Sequence, residues 1–257
     1  MSEKFSNTVL LIHFNHGQHF DGNFNLLEAL YKPYFKKVLY YVSGDHHTKP
    51  NDNYIVTESR GGFTGYRAVL DFMSTNKSLM DDSDGLLYLM DDVFLNVNIL
   101  KSMDPNRIIY HREHYFVNYR KLSEYNDTEY WRVWARESGR KACLNSINDS
   151  RNKWFEDRDF FANISDMFYL PSRFITDELI KAFDIMANYG VHLEIAVPTV
   201  MRKFFKTDDF QNFNCQPHVD VNRPAGVADL LNNNLYVHRV KLSDKRNIDA
   251  LKINKFL

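Results

Sequence analysis

Residues 85–96, GLLYLMDDVFLN, constrain the chain more than any other stretch: an unbroken apolar run ends in two adjacent carboxylates, Asp91 and Asp92, and then turns apolar again. Leu86 to Met90 lack the alternation of a half-exposed strand. They predict a strand buried on both faces, inside a parallel or mixed sheet with helices on either side. Desolvating an unpaired charge costs several kcal/mol or more, so two carboxylates ending such a strand suggest a cation. In open α/β sheets, ligands collect outside the carboxyl ends of strands, where this pair would lie. Asp is also a common turn and N-cap residue, and the pair would serve equally well to cap a loop or the helix starting near Asn98.

The flanking pattern is that of an α/β domain. Residues 8–14, TVLLIHF, read as a buried strand that breaks at Asn15-His16-Gly17. Residues 21–35 place Phe24, Leu27, Leu30, Tyr31 and Tyr34 at helical spacing, with Pro33 disturbing the last turn. Residues 37–42, KVLYYV, form a second strand, so strand, helix and strand make a βαβ unit. A short third strand at 53–57 and a Gly-rich loop at 58–65 lead into a helix over 66–75. Such a loop presents backbone N–H groups to an anion at a helix N-terminus, although this one matches neither a P-loop nor a GxGxxG fingerprint. Arg60 and Arg67 are either diphosphate contacts or solvated side chains.

Downstream, residues 107–110 and 115–118 read as short strands. Residues 127–141 read as a helix with Trp131 and Trp134, and 145–159 as a loop or lid. Residues 162–171 return to the strand pattern, with Ser172 capping a helix over 175–189 that ends at Gly190. A further helix spans 192–206, with Pro198 as kink or boundary, and 235–240 forms a last strand. No repeat or low-complexity linker divides the chain. The expectation is one α/β domain over 1–257, with a mixed, mostly parallel central sheet flanked by helices.

Size and charge narrow the function. The 257 residues suffice for a full core, and 44% hydrophobic with 25% charged residues is the composition of an ordinary globular protein. A net charge of -1 argues against a nucleic-acid partner, which calls for a basic excess. Cys143 and Cys215 are too few for a disulfide scaffold and point to a reducing compartment. The opening MSEKFSNT is polar and the apolar run at 9–12 is far shorter than a signal or membrane span, so a cytoplasmic location without membrane insertion is expected.

Three further polar features stand at element ends where apolar residues would pack: Glu194, His238 and Lys241. Carboxylate plus imidazole suits Mn2+ or Mg2+, with water or phosphate oxygens completing the shell. A separate carboxylate can act as general base on a hydroxyl. Each also has a plainer role open to it: Glu194 gains from the helix dipole, and His238 in a strand serves as a hydrogen-bonded structural residue.

The stretches LIHFNH, LEALYKPYFKKVLYYV, LLYLMDDVFL, HLEIAVPTVM and YVHRVKLS, taken in this order, resemble the GT-A glycosyltransferases. Within that fold they are most similar to the STELLO-type family and to enzymes encoded by large algal viruses. The resemblance implies a GT-A-like, Rossmann-like domain, with a nucleotide-sugar part over about 1–100 and an acceptor part over 101–257. Its acidic motif is D-x-D or D-D-D, and Met90 stands in the first place here. Asp92 would be the metal ligand, Asp91 would meet ribose or the metal through water, and His238 would complete the metal shell with Lys241 near the diphosphate. Glu194 would be the catalytic base and Asp166 would lie near the donor sugar or acceptor. Phe14, Asn15 and His16 would border the base and ribose, with Arg60 beside them.

The implied activity is transfer of a sugar from a nucleotide-diphosphate sugar, UDP-sugar first, to a hydroxyl of a glycan acceptor. It would be inverting and dependent on Mn2+ or Mg2+, in the host cytoplasm if the protein is viral. The alternatives are a retaining transferase and a non-catalytic nucleotide-sugar or glycosyltransferase-binding protein on the same fold.

Overall fold

The computed structural model describes residues 4–14, 23–43, 54–57, 65–110, 137–157, 159–216, 233–242 and 244–253. The expected short strand at 115–118, the two tryptophans at 131 and 134, and the greater part of the Gly-rich loop lie outside these residues.

Strands β1 (Thr8–Phe14), β2 (Lys37–Ser43), β3 (Tyr54–Thr57), β4 (Gly85–Met90) and β6 (Met167–Pro171) form a five-stranded sheet in the order β3-β2-β1-β4-β6. β1 to β4 are parallel and β6 runs antiparallel to β4. Every residue of β1 and of β4 is buried, as their lack of alternation predicts. The architecture is therefore the expected mixed α/β domain with a mostly parallel sheet, of Rossmann-like type. The chain builds outward from β1 through β2 to β3, then returns to place β4 on the other side of β1. That reversal makes the carboxyl ends of β1 and β4 a topological switch point.

Helix α1 (Phe24–Tyr31) is shorter than its periodicity suggests, its last turn closing at Lys32 just before Pro33. It packs Phe24 on Phe14 and Tyr40 of the sheet. Helices α2 (Tyr66–Thr75), α6 (Asp177–Asn188) and α7 (Leu193–Phe204) pack in series, and α5 (Glu137–Ile147) packs on α6. Two short helices, α3 (Lys77–Asp81) and α4 (Val97–Leu100), flank β4 in sequence. α5 runs through part of the stretch expected to be loop; its apolar positions are too sparse to reveal it.

α6 begins at Thr176, whose hydroxyl accepts from the Leu179 N–H, and not at Ser172, which opens a 3-10 turn. It ends in a Schellman closure: Val191 N–H donates to Met186 and Gly190 N–H to Ala187, with Gly190 at φ 67°. Arg67, from α2, donates to the Ala187 carbonyl, so it docks one helix on another and is not a diphosphate contact. Residues 107–110 contribute isolated bridges to Phe210 and Tyr169 in place of a strand. A second, two-stranded sheet pairs β5 (Val93–Leu95) with β7 (Tyr236–His238). The chain closes with α8 (Lys245–Ile253). Among the described residues no helix is long and apolar enough to cross a membrane.

Candidate functional site

The switch point is where β4 delivers its carboxylates. The Asp91 N–H donates to the His13 carbonyl at 3.0 Å and the Met90 N–H to the Asp166 carbonyl at 2.9 Å, so the ladders persist to the edge of the sheet before the chain turns. Beyond Asp92, β5 pairs antiparallel with β7 in a register that sets Val93 opposite His238. A slip of one residue would send His238 to the other face. Arg239 then adopts φ 73°, a left-handed conformation unusual for a residue with a side chain. The reversal brings the Val240 N–H to the Asp92 carbonyl at 2.8 Å and places Lys241 beside the same residue.

The result is a buried cluster drawn from three distant parts of the chain. His238 Nδ1 lies 2.9 Å from Asp166 Oδ2, and its Nε2 lies 3.3 Å from Asp92 Oδ1. Lys241 Nζ lies 2.9 Å from Asp92 Oδ2. Asp91, Asp166 and His238 are all under one-tenth exposed, and Asp92 is only a little more open. Burial alone would raise the Asp92 carboxyl, but the facing His238 and Lys241 outweigh it and hold it far below the usual carboxylate range. Burial would likewise lower His238, but Asp166 and Asp92 reverse this and push it up to about 10, so the ring is an imidazolium between two carboxylates. Around them stand the buried phenols of Tyr88 and Tyr236, both pushed well above their ordinary value by burial and by Asp166 among the nearby charges.

The alternative that Asp91 and Asp92 serve as a helix cap does not hold. Asn96 caps α4, its side-chain oxygen accepting from the Asn98 and Ile99 N–H groups. The cation reading meets a divided answer. No group of three or more His, Cys, Asp or Glu that could hold a metal occurs among the described residues. The nearest approach to one is the pair Asp92 and His238. Asp92 Oδ1 is buried and faces the His238 ring, whose Nε2 is 3.3 Å away. Two neighbouring ligands in an octahedral shell of about 2.1 Å radius lie roughly 3 Å apart, which is close to this spacing. Asp92 and His238 would supply at most two positions of a divalent cation's shell, and only if the ring gave up its Nε2 proton.

The other expected site residues fall differently. Glu194 lies in the first turn of α7, with its carboxylate 3.6 Å from His192 Nδ1, and His192 caps the helix by accepting from the Glu194 N–H. Its link to the cluster runs through the backbone. The Asn163 N–H donates to the Glu194 carbonyl at 2.9 Å, three residues before Asp166. Phe14 has its side chain wholly in the core, stacked on Phe24 at 4.5 Å between centroids, so only its backbone can border a ligand. Asp166 faces His238 and not open solvent. Asn15, His16 and Arg60 lie outside the described residues.

Sequence reading passed over His13, which stands on β1 at the switch point. Its ring is fully buried, with Nδ1 3.4 Å from the Tyr88 hydroxyl, and burial pushes it down to about 4. The available signal was a single polar residue inside an apolar strand. The role of Arg239 left no signal, since nothing in its type announces a left-handed backbone. Comparison with protein-family models gives no match, and comparison with curated proteins gives none either.

Proposed function

We propose that this protein is a glycosyltransferase that moves a sugar from a nucleotide-diphosphate sugar, UDP-sugar first, to a hydroxyl of a glycan acceptor with inversion. One observation carries the reading: Asp92, Asp166, His238 and Lys241 converge at the carboxyl edge of a parallel sheet, at its switch point. That is where an α/β sheet takes a nucleotide ligand. The resemblance of the surrounding motifs to GT-A enzymes supports it.

The Mn2+ or Mg2+ that the resemblance implies would find at most two ligands among the described residues, Asp92 and His238. Lys241, more than a third exposed, turns its ammonium toward Asp92 and has room to reach an anionic oxygen as well. Glu194 takes the proton of the acceptor hydroxyl as general base, its carboxylate held at the start of α7 next to His192.

A second reading, a binding protein that does no chemistry, is favoured by one feature. Met90 is buried in the ladder where the resemblance expects the first acidic residue. The deciding experiment incubates the protein and its Glu194→Gln variant with a panel of nucleotide-diphosphate sugars and Mn2+, following both donor turnover and thermal stabilisation by donor. Turnover by the native chain that is lost in the variant, with stabilisation retained in both, is the expected result. Stabilisation without turnover in either protein selects the binding reading, and neither effect overturns both.

A further inference from the structure

We infer that the diphosphate end of this site is neutralised by the chain's own ammonium group, Lys241, and that donor binding needs no divalent metal ion. The inference rests on the transferase reading for its ligand, a nucleoside diphosphate, and departs from the resemblance on the metal.

A metal ligand must turn a lone pair toward the ion, and the donors gathered here are turned toward nitrogens. Asp92 Oδ2 lies 2.9 Å from Lys241 Nζ, and Asp92 Oδ1 lies 3.3 Å from His238 Nε2. The other ring nitrogen, Nδ1, lies 2.9 Å from Asp166 Oδ2. Carboxylates only accept, so a ring set between two of them is placed to donate from both nitrogens. Such a ring has no lone pair to give an ion. Seating one would require the ring to shed a proton and the Lys241 ammonium to withdraw from a doubly charged neighbour. Among the described residues no group of three or more His, Cys, Asp or Glu offsets those costs.

Of the two cationic side chains, one is fixed and one can move. His238 is buried and held in β7 by its pairing with Val93. Lys241 lies beyond the Arg239 turn, and its side chain is 38% exposed against 14% for Asp92. Its backbone is anchored: the Lys241 carbonyl accepts from the Asp244 N–H at 3.0 Å and from the Asn247 side-chain amide at 2.9 Å. The flexible four-carbon stem therefore lets the ammonium exchange Asp92 Oδ2 for a phosphate oxygen while the main chain stays in place. Removing the only partner of a buried carboxylate would be strongly unfavourable. Here the exchange leaves Asp92 still facing His238, so the ring serves as the standing counter-ion of Asp92 and Asp166. As charge grows on the departing diphosphate, the ammonium of Lys241 is the group placed to meet it.

The test measures the affinity of UDP for the native chain, Lys241→Gln and Lys241→Arg by isothermal titration calorimetry, once in EDTA and once with Mn2+ in place of the chelator, alongside the ligand-free melting temperature of each protein. Expected is the same affinity of the native chain in both media, a loss on the order of 10–100-fold in Lys241→Gln, and an affinity near the native one in Lys241→Arg. Native affinity that rises by an order of magnitude or more with Mn2+ overturns the inference and leaves the nucleotide site standing. Binding in EDTA that survives undiminished in Lys241→Gln overturns the assignment to Lys241. No binding of UDP by the native chain in either medium overturns the inference, while the transferase reading is still decided by the donor panel. Should Lys241→Gln not fold, the native chain in the two media decides on the metal, and Lys241→Met, which keeps the length of the stem without its charge, decides on the ammonium.

Discussion

The backbone N–H of Asn163 donates to the carbonyl of Glu194 at 2.9 Å, and that carbonyl is the one Pro198 leaves without a helical donor inside α7. In a regular helix the residue at 198 would donate to residue 194, and proline has no N–H to give. A residue that ordinarily breaks a helix therefore supplies the docking point for the segment that leads to Asp166. Thr199 adds a second clamp, its hydroxyl accepting from the Phe161 N–H at 2.9 Å. Pro198→Ala restores a competing helical donor. Its expected effects are a global stability unchanged or raised by about 1 kcal/mol and faster amide exchange at Asn163, read by hydrogen-exchange mass spectrometry. Unchanged exchange there would show that the proline has no part in holding the segment.

Arg239 stands at φ 73° between His238 and Lys241, both of which face Asp92. A left-handed backbone costs a residue with a Cβ roughly 1–2 kcal/mol, and a β-branched one more. Arg239→Gly should leave stability equal to or higher than that of the native chain, whereas Arg239→Val should lower it by about 2 kcal/mol and displace the cluster. Urea denaturation of the two variants checks this, and equal stabilities would remove the turn from the account of the site.

The sheet was legible in the sequence because its inner strands are buried on both faces. Apolar runs as short as 9–12 and 86–90 fit strands covered by helices, and the pair Asp91 and Asp92 stands out against them. What could not be read were the contacts that depend on register and backbone conformation. Asp166 sits just before β6, and only the antiparallel pairing of β6 with β4 sets it beside His238. No periodicity encodes which strand is the neighbour. Arg67 looked like an anion contact for the same reason: its type was visible, while its partner, a carbonyl at the end of α6, is set by helix packing.

Gly65 opens α2 beneath the buried pair His13 and Tyr88. A Cβ there would come within 2.3 Å of the Tyr88 hydroxyl and 2.8 Å of His13 Nδ1, and neither ring has room to withdraw. Gly65→Ala should therefore destabilise by about 1–3 kcal/mol through overpacking, measured by chemical denaturation. A second effect is specific to this site. Since His13 and Tyr88 lie toward the ends of the strands that flank the switch point, the variant should also weaken nucleotide-dependent thermal stabilisation more than a core substitution of equal cost, such as Leu10→Ala.

Two of the buried histidines, His13 and His238, give stability opposite dependences on pH. His13 is pushed down to about 4 by burial, so the unfolded chain binds more protons than the native one between about 4 and 6.5. Its contribution is present above 6.5 and falls as the pH drops toward 4, by on the order of 3 kcal/mol. His238 is raised to about 10, burial being overcome by Asp166 and Asp92. Its contribution is complete below 6.5 and is lost as the pH climbs through 10. Denaturation of the metal-free protein should therefore show greatest stability near pH 6.5, with losses on both sides. His13→Gln should flatten the acid limb while leaving the alkaline one, and His238→Gln should do the converse, lowering stability near neutrality and removing the decline at alkaline pH. An alkaline limb that persists in His238→Gln would mean that the ring is not held as a cation between Asp92 and Asp166.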